Sequence, residues 1–457
     1  MANNLLTMSY ITNEALVVLE NELVIANRVE RQYSNEYAQT GAKVGNTVNI
    51  RRPPRYLGTY GPPLNVEDSN ETYLPVVLNY QFHVDVQFTT QDLALSMDMF
   101  KKRILRPQVA AVANRIDSDS AQYYTYNTAT NLGTPGVQPA SYKIFSDARA
   151  FLAMEACPTQ GEKNCVLDPI SMSAATDSVK GLFNPQAQIS DYNDKGLVSR
   201  NFAGLDWWED QNILSFTTGT QTGLTTATTG TYSTATGTSA ILTTGWAQQG
   251  TIVLAGFTGT STSLTVGDTI QFTGIYPVNP QNRLQYGRTA KQFVVLPPGG
   301  FTTPPNGAAT TGIYYAPASL TNGTFNNLTG VYTSDGSGLV QVTIGEAIIS
   351  GGQFQNVTSA PVAGTTNFTV NGGYANRSTT TPQGLVFHKY AFALAFADLP
   401  LPQGVEMAAR AYDDEDVGMS IRCVTQYTIN NDSEPTRADV LYGPASLYRS
   451  LGIRING

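Results

Sequence analysis

The sequence predicts an α+β scaffold into which an all-β domain is inserted. Three observations predict it. Helical and strand periodicities mix through the first 215 residues, the composition changes abruptly over 216–384, and the earlier style resumes over 385–457. The middle stretch holds only seven charged residues (Asp268, Arg283, Arg288, Lys291, Asp335, Glu346 and Arg377) and is dense in Thr, Gly and Ser. Its short runs, such as Thr251-Ile252-Val253-Leu254 and Lys291-Gln292-Phe293-Val294-Val295, are separated by turn residues. That pattern suits a small barrel or sandwich.

A chain of 457 residues is long enough for two or three compact domains. Charged residues are 14% of it, against about 25% in ordinary soluble proteins. With 41% hydrophobic and 10% aromatic residues it is too apolar to be disordered. The net charge of −8 argues against tight nucleic-acid binding, which needs a basic face, but not against enclosing nucleic acid. Cys157, Cys165 and Cys423 are an odd set without CxxC spacing, which points to buried reduced thiols. The opening residues lack the basic-then-apolar pattern of a signal peptide, and no run reaches about 18 apolar residues. The expectation is a protein made and kept in a cytoplasm, its Asn-X-Thr sequons chance products of composition.

Element by element, residues 12–33 read as a first helix, capped by Thr12 or Asn13, with Leu16, Leu19, Leu23 and Ala26 in one stripe. Residues 45–56 form a strand running into Pro53-Pro54, and 57–72 a long Gly/Pro/Asn/Asp turn. The chain returns with strict alternation: Tyr80, Phe82, Val84, Val86 and Phe88 on one face, His83, Asp85 and Gln87 on the other. A two-stranded ribbon of this kind needs another surface to lie on. From 90 to about 126 the period is helical, with Phe100, Ile104, Val109, Val112 and Ile116 inward and Pro107 at a kink or restart. Such a helix would be about 50 Å long and act as a strut.

Residues 140–215 read as mixed α/β: a helix near 145–156, a strand at 164–167, a helix near 171–181, and a strand entered through Gly204-Leu205-Asp206-Trp207-Trp208. The Thr/Ala/Gly tract 217–240 reads as a mobile or decorating loop. After the insertion, 389–397 looks helical, Asp413-Asp414-Glu415-Asp416 is an acidic turn, and strands cover 419–427 and 437–443.

Chemistry is sparse. His83 and His388 lack Cys or Glu at ligand spacing, no serine sits in GxSxG, and no glycine-rich stretch forms a phosphate loop. No catalytic residue, cofactor or metal is expected. The acidic run lacks EF-hand spacing and reads as a solvated turn or an interface patch. Two basic groups, Arg51/Arg52/Arg55 and Lys101/Lys102/Arg103/Arg106, either are solvated charge or pair between subunits with Asp413, Asp414, Glu415 and Asp416 or with Glu67 and Asp68. A fibre adhesin would suit the Thr/Gly-rich β content but not the strut helix. A hydrolase with a carbohydrate-binding β module would need paired carboxylates, for which only Asp206 and Glu209 beside Trp207-Trp208 qualify.

The order of elements resembles the HK97-type phage coat fold. The residues that carry the likeness are Thr47-Val48-Asn49-Ile50-Arg51-Arg52-Pro53 and Phe100-Lys101-Lys102-Arg103-Ile104. The insertion resembles that of coat proteins from short-tailed Salmonella-type phages, through Phe202-Ala203-Gly204-Leu205-Asp206, Val266-Gly267-Asp268-Thr269-Ile270-Gln271-Phe272-Thr273-Gly274-Ile275 and Leu385-Val386-Phe387-His388-Lys389-Tyr390-Ala391-Phe392. The resemblance implies an N-terminal arm (1–45), an E-loop hairpin with a P-domain strand (46–89), a spine helix and linker (90–139), a first part of the A-domain (140–215), the inserted β domain (216–384) and completion of the A- and P-domains (385–457). Residues 74–90 and 385–430 would build the P-domain sheet. It further implies self-assembly into pentamers and hexamers of an icosahedral head around double-stranded DNA, without sequence-specific contacts and without a membrane. A separate scaffolding protein, a portal at one vertex and room for a decoration protein follow, with assembly in the host bacterial cytoplasm. Some relatives cross-link Lys to Asn, and nothing in these residues identifies such a pair.

Overall fold

The computed structural model describes residues 23–31, 47–67, 69, 71–89, 106–158, 162–179, 203–224, 230–236, 240–287, 289–302, 314–372, 376–402, 404–405, 407–413, 419–430 and 433–457. The chain divides into two compact units, one of residues 1–50, 75–121 and 392–445, the other of 51–74, 122–391 and 446–457.

In the first unit, strands Phe392–Ala397, Ser433–Ser446, Met419–Thr425 and Met407–Asp413 follow one another in a sheet, and Tyr80–Thr89 pairs antiparallel with Ser433–Ser446. The expected alternation holds: Phe82, Val84 and Val86 are half-buried while Gln81, His83, Asp85 and Gln87 are exposed. Helix Arg106–Asn127 carries the expected stripe, with Val109, Val112 and Ile116 fully buried, and Pro107 falls in its first turn, where a missing N–H costs nothing. Two buried carboxylates are paired. Asp439 is wholly enclosed and accepts from Arg422 Nε at 2.9 Å, its cross-strand neighbour. Tyr442 donates to Asp119 at 2.6 Å.

The second unit centres on a mixed six-stranded sheet ordered Thr130–Leu132, Gly452–Asn456, Thr380–His388, Lys163–Leu167 and Asp206–Glu209, with Ser215–Thr217 paired to the start of Thr380–His388. Helices Tyr142–Met154 and Pro169–Val179 accompany it, the first capped by Ser141, and Phe145 packs on Trp207 at 4.7 Å. The insertion leaves and re-enters this sheet at one stem, where the hydroxyls of Thr217 and Thr380 lie 2.8 Å apart.

Beyond the stem, six antiparallel strands close a barrel in the order Gln249–Ala255, Leu339–Gly345, Gln292–Leu296, Thr269–Phe272, Asn367–Val370 and Gly230–Thr236. Ile252, Leu254, Ile270, Phe272, Phe293, Val340, Val342 and Phe368 fill it. The Val266–Phe272 segment ties this barrel down. Fully buried Asp268 accepts from Thr265 N–H at 2.8 Å, Asn371 Nδ2 at 2.8 Å and Gly219 N–H at 3.1 Å. Arg454 donates to the Gly267 carbonyl at 2.8 Å. Gly267 sits at φ +97°, and a Cβ there would meet Tyr126 at 2.7 Å, so glycine is required twice over.

Five expectations need correction. Residues 23–31 of the first helix form a bend and the 3-10 turn Ala26–Arg28, because buried Asp117 accepts the backbone N–H groups of Val24 and Ala26 and dictates their path; 12–22 lie outside the described residues. The hairpin partner of Thr47–Arg52 is Thr72–Val77, whereas Tyr80–Thr89 joins the sheet. The tract 217–240 contains barrel strand Gly230–Thr236, with Tyr232 buried. Residues 389–397 are a 3-10 turn and a strand buried throughout, so no alternation betrays it. Thr380–His388 belongs to the second unit's sheet, which removes its last residues from the expected P-domain set.

Candidate functional site

The candidate site is the exposed ribbon of residues 51–74. Strands Thr47–Arg52 and Thr72–Val77 pair, and alternation buries Leu74 and Val76 while Tyr73 and Val77 face out. At the root the two arginines part company, as successive strand residues must. Arg51 points to solvent and lies 3.8 Å from Glu71, also exposed. Arg52 turns inward, its guanidinium 4.6 Å from the Trp246 ring and 4.5 Å from the Tyr448 ring. Burial lowers its pKa, and Glu346 partly offsets this. Arg55 lies over Phe354 at 5.9 Å.

The tip is organised from within. Both carboxylate oxygens of Glu67 accept backbone N–H groups, from Leu57 at 2.7 Å and Gly58 at 2.6 Å. Tyr56 and Ser69 hydroxyls bond at 3.0 Å, Asn65 donates to Thr59 at 2.9 Å, and Arg283 donates to the Tyr56 carbonyl at 3.3 Å. With these polar groups satisfied locally, the apolar ones face outward: Tyr60 is 104% exposed, Leu64 90% and Val66 77%. Isolated monomers rarely expose such a group of large apolar side chains, which makes this fixed loop a candidate interaction surface. Sequence reading singled out the charges here and passed over Tyr60, Leu64 and Val66. The signal was available, because apolar residues inside a Gly/Pro turn have no core to join.

Of the other candidates, Asp68, Lys101, Lys102, Arg103, Asp414, Glu415 and Asp416 lie outside the described residues, and only the backbone of Arg106 and Asp413 is placed. Among the described candidates, Arg51, Arg52 and Arg55 form no ion pair with Glu67, which is committed to the tip backbone.

His388 is buried, its Nδ1 accepting the Tyr390 N–H at 3.3 Å; exposed His83 lies 3.2 Å from Asp85. All three cysteines are buried, and burial pushes the Cys165 thiol up. Asp206 and Glu209, three apart on one strand, fall on opposite faces and form no carboxylate pair. Among the described residues no group of His, Cys, Asp or Glu is arranged to hold a metal, and no described helix is long and apolar enough to cross a membrane.

A family model described as P22 coat protein (gene protein 5) matches residues 1–327. No curated protein sequence matches the chain. Among solved structures, the Mycobacterium phage Che8 chain is 10% identical with TM-score 0.39, covering 95% of this chain and 90% of that one. The capsid of cyanophage P-SCSP1u is 9% identical with TM-score 0.42, covering 95% and 88%. The acid-stable capsid of Helicobacter pylori bacteriophage KHP30 is 8% identical with TM-score 0.37, covering 94% and 92%.

Proposed function

The chain belongs to the P22 coat protein family, and on that premise we propose that its copies assemble as pentamers and hexamers around double-stranded DNA, each laying its ribbon tip on a neighbour. It is the major capsid protein of a tailed-phage head, a structural protein, and its α+β scaffold with an inserted closed barrel is the HK97-like capsid fold with an insertion. The observation that carries the proposal is the preorganised tip with Tyr60, Leu64 and Val66 in solvent. Burying about 100 Å² of such side chain against a neighbour contributes roughly 2.5 kcal/mol. A closed shell repeats that contact in every subunit. The basic groups Arg51 and Arg55, with Lys101, Lys102, Arg103 and Arg106, set register against acids of adjoining copies, Asp413 to Asp416 among them.

The wall needs help to close correctly. The proposal therefore includes a separate scaffolding protein, a portal at one vertex, a surface that can accept a decoration protein, and assembly in the host cytoplasm. Maturation is a switch between two packings, driven by newly buried interface.

Electron microscopy of the protein co-expressed with its neighbouring genes tests this. Closed shells with the tip of residues 57–66 against an adjacent copy are expected. Uniform monomers or trimers at every salt and protein concentration would overturn it.

A further inference from the structure

The hollow beside the ribbon root holds more positive charge than the described residues neutralise there. Arg52, Arg55, Lys291 and Arg449 line it, with Glu155 and Glu346 as its acids, so four cations face two carboxylates. Lys291 and Glu346 are 4.0 Å apart, and Glu155 is engaged by the Tyr286 hydroxyl. No described carboxylate comes within 4 Å of the guanidinium nitrogens of Arg52, Arg55 or Arg449. Glu155 is itself held up in pKa by burial, which weakens its service as a counter-charge.

Individual hydrogen-bond donors also go unused. Arg449 spends Nη1 on the Gln248 carbonyl at 2.6 Å and Nη2 on Asn127 Oδ1 at 3.0 Å, but its Nε is buried without an acceptor. Trp246 Nε1 and Ser446 Oγ, on the same lining, are likewise buried and unpartnered. Buried donors are ordinarily satisfied, and an uncompensated buried charge is costly. Water could accept the hydrogen bonds but would leave the charge. An anion with several oxygens answers both deficits, and guanidinium groups match oxyanion geometry.

We propose that this hollow is an oxyanion site, taking a tetrahedral inorganic anion of the phosphate class between Arg449, Arg52 and Arg55, with Trp246 Nε1 as a neutral donor. The bound anion would brace three stretches of the second unit at once: the ribbon root through Arg52 and Arg55, the insertion through Trp246 and Lys291, and the closing segment through Arg449.

The test uses the full chain as soluble subunit and as assembled shell. Inorganic phosphate is titrated against sodium chloride at matched ionic strength, followed by calorimetry and thermal unfolding. Saturable binding by the wild type is expected, weakened at least tenfold in Arg55→Gln and in Trp246→Phe. The latter keeps an aromatic ring under Arg52 but removes the five-membered ring with its N–H, so unfolding without phosphate is measured beside it and separates a folding defect from lost binding. Absence of a phosphate response beyond chloride, or an undiminished response in both variants, overturns the site. Phosphate retained by assembled shells supports a free anion as occupant. Binding that vanishes on assembly overturns that assignment in favour of a carboxylate from a second copy.

Discussion

Asp268 and Asn371, 103 residues apart, are joined by a 2.8 Å hydrogen bond inside the buried base of the barrel. The same carboxylate takes the backbone N–H groups of Thr265 and Gly219, while burial pushes its pKa up and lowers that of nearby Arg454 to about 10. Asp268→Ala leaves those donors unpaired and Arg454 without a counter-charge. The expected loss is about 3–5 kcal/mol, read as a lower urea midpoint, with Asp268→Asn intermediate.

Asp439 predicts a parallel result in the other unit. Its carboxylate is wholly buried and answered by Arg422. Arg422→Ala strands the acid and should cost about 3 kcal/mol or more. Asp439→Asn in the same background should recover part of it, and a double-mutant cycle measures the coupling.

A surface pair gives the contrasting case. Arg437 donates to Asp85 at 2.8 Å and 3.1 Å, and that hydrogen-bonded partner holds the Asp85 carboxyl below its ordinary pKa. A depressed folded pKa contributes stability that is present above the unfolded value and lost as pH falls through the folded one. Both groups are about half exposed, so the effect is at most about 1 kcal/mol. Arg437→Gln should flatten the pH dependence of unfolding below about pH 4, and a wild-type slope in that variant would refute the assignment.

Tip substitutions should separate folding from assembly. Tyr60→Ser with Leu64→Ser removes side chains that touch nothing in the subunit, so unfolding should shift by no more than about 0.5 kcal/mol. Shell yield by sedimentation should nevertheless fall at least tenfold. Equal yields would remove the tip from the interface.

Arg51 and Arg52 are adjacent in sequence and should behave differently. Arg52→Gln loses stacking on two rings, about 1–2 kcal/mol, and should speed hydrogen exchange along 53–67. Arg51→Gln loses an exposed pair of about 0–0.5 kcal/mol and should leave exchange unchanged.

What the sequence disclosed follows from which faces were half-solvated. The strand at 80–88 was legible because Gln81, His83, Asp85 and Gln87 face water and enforce alternation. Phe392–Ala397 was not, because burial on both faces removes the period that distinguishes strand from helix. The barrel was legible as composition but not in its first strand, whose threonines look like a loop until pairing with Gln249–Ala255 is known. The ribbon was legible as an excursion. Its root was not, since Trp246, Phe354 and Tyr448 reach Arg52 and Arg55 only through the tertiary fold.

The stem at Thr217 and Thr380 bears on the order of events as the chain leaves the ribosome. Strand Thr380–His388 lies between Lys163–Leu167 and Gly452–Asn456, so that sheet cannot close until the whole insertion has been synthesised. The barrel's six strands all fall within 230–370, and their ladder closes without any later strand. Pulse-labelled exchange should therefore protect 230–370 before 380–388. Once the barrel exists, its ends already stand side by side, and the entropic cost of the wide loop has been met inside the insertion. A pairing remote in sequence becomes, for the folding chain, a local one.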